Sequence, residues 1–214
     1  MKQLIVCLFF ILWNTLLCAQ IYTVPHQFIF NAVYYQKENN ITSEEIITFT
    51  TTGLPWKADS QQVEGVWKYT AKKKTKKLFV GQKSLAWTDS SPTGVIENND
   101  KTWLHPPRQN QYMLTEIAPF PECRKDYKTG QGFTTLLQIN FGWGDWDGKE
   151  IYFDYKVTNI TVNTGDTLWT IAASSELEKK KNTCTFIFNN KKGFTLLEYH
   201  FYNGDTLIMK LQEE

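Results

Sequence analysis

Residues 185–211 read TFIFNNKKGFTLLEYHFYNGDTLIMKL, and this stretch decides the fold. Three runs rich in Phe, Ile, Leu and Tyr (185–188, 194–201 and 206–211) are separated by 189–193 and by Asn203-Gly204. Aromatic and β-branched side chains suit the pleated, half-buried surface of a sheet. Asn-Gly marks a turn because it supplies the φ > 0 residues that a type I′ hairpin demands. Short strands joined by tight turns predict an antiparallel meander.

The pattern extends outward in both directions. Residues 132–141, 151–157 and 168–173 read as further strands, with turn signals at 163–166 and 178–182. Toward the N-terminus, 27–36, 46–52, 63–70 and 78–88 follow the same pattern, and Gly53-Leu54-Pro55 breaks the second of them. Residues 89–101, from Asp89-Ser90-Ser91 through Pro92 and Gly94 to Asn98-Asn99-Asp100-Lys101, are turn-forming throughout and read as a long loop. Aromatics make up 15% of the chain, which supports strands before it supports a binding surface. The expectation is an all-β fold, a curved antiparallel meander or half-barrel, with a two-sheet sandwich as runner-up.

The N-terminus has a different logic. Lys2 is followed by an almost wholly apolar run, 4–18 (LIVCLFFILWNTLLC), and then by Ala19. A charged start, an apolar middle and small residues at the end are the parts of a secretory signal. A spanning helix needs about 20 apolar residues, and Asn14 and Thr15 interrupt this shorter run. Lipid attachment at Cys18 is a rival, but that route wants a small residue where Leu17 stands. The reading is therefore a signal-peptide helix over 1–19, cleaved after Ala19, and a single β-rich domain over 20–214. Export to the periplasm, to the outer membrane or to the medium follows, with no transmembrane span after cleavage.

Removing Lys2 with the leader takes Lys plus Arg from 23 to 22, against 22 acids. A net charge near zero steers the chain toward neither nucleic acid nor an anionic membrane. The lysine run at Lys72, Lys73, Lys74, Lys76 and Lys77 reads as a solvated hairpin tip that blunts a sheet edge. Two cysteines remain after cleavage, Cys123 and Cys184. A disulfide between them would close a loop of about 60 residues and add roughly 3–4 kcal/mol. Two buried thiols are the other reading.

Three constellations stand out. In 142–148 (GWGDWDG), Trp143 and Trp146 have the faces to stack on a sugar, and Asp145 and Asp147 have acceptors for its hydroxyls. The alternative is a glycine-kinked turn whose indoles fold onto the core. The aspartates lack the register of a calcium loop. In 103–108 (WLHPPR), His105 is a conceivable acid/base and Arg108 a carboxylate clamp. Pro106 and Pro107 restrict the chain, one X-Pro bond being a candidate for cis. The third, 118–122 (APFPE), is also rigid. The two Pro-rich segments are expected to pack together, with Arg108 paired to Glu116 or Glu122. No histidine sits in a metal-binding spacing, there is no GxSxG elbow and no phosphate loop. No catalytic residue, metal or cofactor is assigned.

From Trp103 onward the chain resembles a family of uncharacterised exported proteins of Bacteroidota. The likeness rests on 103–108, 116–122 (EIAPFPE), 141–148, and Gly193-Phe194 with Leu197-Glu198-Tyr199. The resemblance implies a cysteine after the turn near 165, where this chain has Leu168-Trp169. The repeated strands also look like the half-barrel of periplasmic lipoprotein carriers, a fold-level likeness. The functional expectation is a non-enzymatic exported protein that binds a hydrophobic or lipid-like molecule on a concave sheet. The alternatives are a carbohydrate-binding module or weak glycan-acting enzyme, and a structural envelope-interaction protein.

Overall fold

The structure, a computed structural model, describes residues 20–70, 78–80, 83–85, 87–140 and 142–213. The expected leader and the lysine run lie outside the described residues. The described chain is mostly strand: β1 (His26–Gln36), β2 (Ile41–Trp56), β3 (Asp59–Tyr69), β4 (Leu78–Val80), β5 (Lys83–Leu85), β6 (Ser90–Glu97), β7 (Lys101–Leu104), β8 (Glu122–Arg124), β9 (Gly132–Gln138), β10 (Glu150–Asn163), β11 (Asp166–Leu177), β12 (Lys180–Asn189), β13 (Gly193–His200) and β14 (Thr206–Leu211). Among the described residues, helix is confined to two 3-10 segments, Asn110–Ile117 and Gly144–Trp146. No helix among the described residues is long and apolar enough to cross a membrane.

Twelve strands form one antiparallel sheet in the order β8-β7-β6-β3-β2-β1-β14-β13-β12-β11-β10-β9, and β4 pairs with β5 apart from it. The chain starts mid-sheet at β1, runs outward to the β8 edge, then reappears at the opposite edge as β9 and returns to β1. Residues 125–131 make that jump. Eight residue steps reach at most about 27 Å. Twelve strands at about 4.8 Å put the edges about 53 Å apart measured along the sheet. The short link therefore requires the sheet to curl, and the result is the expected half-barrel. Across the seam the edges meet by side chains. Arg124 lies 4.3 Å from the Phe133 ring centre, and the Tyr155 hydroxyl donates to the Phe120 carbonyl at 2.8 Å.

Alternation sets the inner face. Phe28, Phe30, Ala32 and Tyr34 on β1 are buried, as are Ile47 and Phe49 on β2 and Phe186 and Phe188 on β12. Two expectations are corrected. Residues 90–97 form strand β6 where a loop was expected. Val95 is fully buried between Val63 and Leu104, and pairing to β3 overrides the turn-forming composition. Pro92 fits because it faces only β3, at a level that β7 does not reach. At Asn203-Gly204 only Gly204 has positive φ, +86°, and Asn203 Oδ1 instead accepts from the Asp205 amide at 3.0 Å. The two-residue turn with both residues left-handed occurs at Glu178-Lys179, with φ of 53° and 64°.

The concave face is occupied by the chain itself. After β7, residues 105–121 cross it as a strap. At one end Gln111 donates to Glu45 of β2 at 2.8 Å, and the Tyr112 hydroxyl reaches the same carboxylate. Tyr112 packs on Tyr34 and Tyr69 at 6.0 and 5.9 Å. At the other end the Ile117 carbonyl accepts from Ser175 at 2.7 Å and from Asn182 at 2.9 Å. Tyr112, Met113, Ile117, Ala118 and Phe120 all belong to the main core cluster.

Candidate functional site

The three constellations singled out in the sequence converge where the strap leaves and rejoins the sheet. Pro106 and Pro107 end β7 by removing backbone donors and restricting φ. No peptide bond among the described residues is cis. The Leu104 amide donates to the Pro121 carbonyl at 2.9 Å, so the two Pro-rich segments lie against each other as expected.

His105 sits in an aromatic enclosure. Its ring centre is 4.7 Å from Trp103, 4.8 Å from Phe120 and 6.4 Å from Trp56. Its carbonyl accepts from the Trp67 indole at 2.9 Å, and its Nδ1 is buried with no hydrogen-bond partner among the described residues. Burial, with Arg108 as a lesser cause, holds the imidazole well below its ordinary pKa. No carboxylate, hydroxyl or thiol among the described residues hydrogen-bonds the ring. An acid/base needs such a partner or a substrate within reach. The ring packs against Trp103 and Phe120.

Arg108 Nη1 donates to Glu116 Oε2 at 2.9 Å, and the guanidinium lies 5.8 Å from the Trp143 ring centre. The Arg108 side chain is 21% exposed and that of Glu116 3%. Burial raises the Glu116 pKa and Arg108 opposes that rise. The expected clamp is thus formed, with Glu116 and not Glu122 as partner. Glu122 is buried as well and pairs with Arg124 at 3.1 Å.

The GWGDWDG turn folds inward. Trp143 and Trp146 are 9% and 6% exposed and belong to the core, which leaves no open indole face for a sugar to stack upon. Asp147 Oδ1 is taken by the amides of Gly142 and Trp143. Asp145 is exposed. Among the described residues no group of His, Cys, Asp and Glu could hold a metal ion. Cys123 and Cys184 are separate, buried free thiols, so the pairing considered for them is not formed. Cys123 lies on β8 opposite Thr102, and Cys184 lies on β12 between Ala173 and Tyr199. Burial pushes both thiols up, away from the thiolate form that reacts.

Sequence reasoning missed the strap contacts Tyr112, Ser175 and Asn182, which no local motif signals. It also missed Glu97, whose carboxylate gathers the amides of Ile21, Tyr22 and Thr23 at 2.9, 2.7 and 3.1 Å. Compared with known proteins, the chain matches no family model, no curated protein and no solved structure.

Proposed function

We propose that this chain is an exported, non-enzymatic protein that works through the outside of its half-barrel, as a structural or interaction protein of the cell envelope. Export rests on the charged, apolar and small-residue parts of 1–19. The observation that carries the rest is the strap. Residues 105–121 take the volume that a carrier of this architecture would offer to its cargo, and they are bonded to both flanks of the sheet. Among the described residues, Cys123 and Cys184 are buried free thiols and half-buried His105 has no hydrogen bond to its ring nitrogen Nδ1, which is in keeping with a non-enzymatic role.

Hydrogen exchange tests the sealed interior. The strap amides of Tyr112 and Ala118 are expected to exchange as slowly as the central β1 and β14 amides, with or without added apolar compounds. Faster strap exchange, or strap exchange that changes relative to the β1 and β14 amides when an apolar compound is added, would show that the strap opens. It would return the reading to a carrier with its ligand on the concave sheet. Fractionation of the native host tests export, and a cytoplasmic chain would overturn it.

A further inference from the structure

A cleft opens at the mouth of the half-barrel, away from the strap. The N-terminal residues 20–25 cross this end of the sheet. Glu97 holds their amides, the Tyr22 hydroxyl accepts from the Phe194 amide at 2.9 Å, and Tyr22 is fully buried. β1 begins four residues before its pairing with β14 starts at Phe30. Between the crossing segment, the start of β1 on the side where β14 does not pair with it, and the β12–β13 turn lies a space of about 570 Å³. That is within the range of small-molecule sites, and barrel mouths are a usual place for them.

The lining has two chemistries. Ile21, Val24, Phe28, Ile29 and Leu211 make its apolar part, Ile21 and Phe28 buried and Val24 and Ile29 38% and 36% exposed, and Gln20, His26, Gln27, Thr195 and Gln212 share the lining. Lys191 and Lys192 stand at the rim. Lys191 is already paired with Asp166 at 2.7 Å. The Lys192 ammonium has no ion pair among the described residues. Glu213 is the lining carboxylate, and among the described residues it makes no ion pair with either lysine.

We propose that this cleft binds a free single-chain fatty carboxylate, its tail along Ile21, Ile29 and Leu211 and its head at Lys192. A cleft that sets an apolar part beside Lys192, a lysine in no ion pair among the described residues, matches such a molecule at both ends, and the space suits one chain better than a two-chain lipid. Affinity then comes mostly from methylene burial, and the charge sets orientation. This site goes beyond the surface role proposed above. It lies outside the strap, so slow strap exchange and binding here are independent results.

Isothermal titration of the full chain, as its host processes it, with octanoate, decanoate and dodecanoate is the test. Affinity should rise about fourfold per added methylene. Dodecanol should bind about tenfold more weakly than dodecanoate. Lys192→Glu should weaken dodecanoate about tenfold and leave dodecanol unchanged, and Ile29→Asp should abolish both. Both positions are exposed, so the variants should fold, and an unchanged melting temperature verifies this. The proposal is overturned by absence of dodecanoate binding, by affinity independent of chain length, by indifference to both substitutions, or by binding only to phosphatidylglycerol vesicles.

Discussion

His105 is enclosed by Trp56, Trp103 and Phe120, and burial keeps its ring neutral well below the ordinary imidazole pKa. The unfolded chain takes up a proton at this residue below about pH 6.5, and the folded chain does not. The stability that this group contributes is therefore present above about pH 6.5 and is lost as the pH falls toward the lowered folded value. The slope approaches about 1.4 kcal/mol per pH unit. Urea unfolding of the chain and of His105→Leu between pH 7.5 and 5.5 reads it. The parent should lose stability toward acid more steeply than the variant, and parallel slopes would show that the ring is protonated when folded. The sequence expected the segment of His105 to pack on the 118–122 segment, and the Leu104–Pro121 hydrogen bond shows that contact. It gave no sign of the aromatic enclosure, because Trp56 and Phe120 come from segments far away along the chain.

Strands were legible where alternation and turn chemistry agreed, as in β12, β13 and β14. They were illegible at β6, where Ser90 to Gly94 is strand only because β3 lies alongside. The β11–β12 hairpin shows the converse, a turn whose geometry its residues do not favour. Glu178 and Lys179 both adopt positive φ, 53° and 64°, in a two-residue connection that favours Asn-Gly. A left-handed conformation costs a residue with a Cβ about 1 kcal/mol, and glycine adopts it freely. Lys179 is exposed, so its replacement disturbs no packing. Lys179→Gly should stabilise the chain by about 1 kcal/mol and raise Tm by about 2–4 °C. Lys179→Val, β-branched at the same φ, should lower it. Calorimetry checks both, and a glycine variant that melts below the parent would contradict the strain.

Two arms make up the whole molecule, one from β1 through β8 and the other from β9 through β14. Their hydrogen-bonded contact within the sheet is the β1–β14 ladder, and the β8–β9 seam is closed by side chains. The strap is the second tie, fixed to the first arm at Glu45 through Tyr112 and to the second at Ile117 through Ser175 and Asn182. A tie anchored at both ends has a definite energetic signature. Removing one anchor frees part of the strap, after which the other anchor holds less. Asn182 is fully buried, and its Oδ1 also accepts from the Tyr202 amide at 3.1 Å, so Asn182→Ala should cost about 2–3 kcal/mol. Tyr112→Phe, which removes only the hydroxyl, should cost about 1 kcal/mol. Distant sites that share no partner normally add within about 0.5 kcal/mol. Here the double variant should cost less than the two singles together, by about 0.5 kcal/mol or more, because both act on the order of one segment. Chemical unfolding of the four proteins gives the coupling directly. Strict additivity would mean that the strap rests on each arm separately and does not join them.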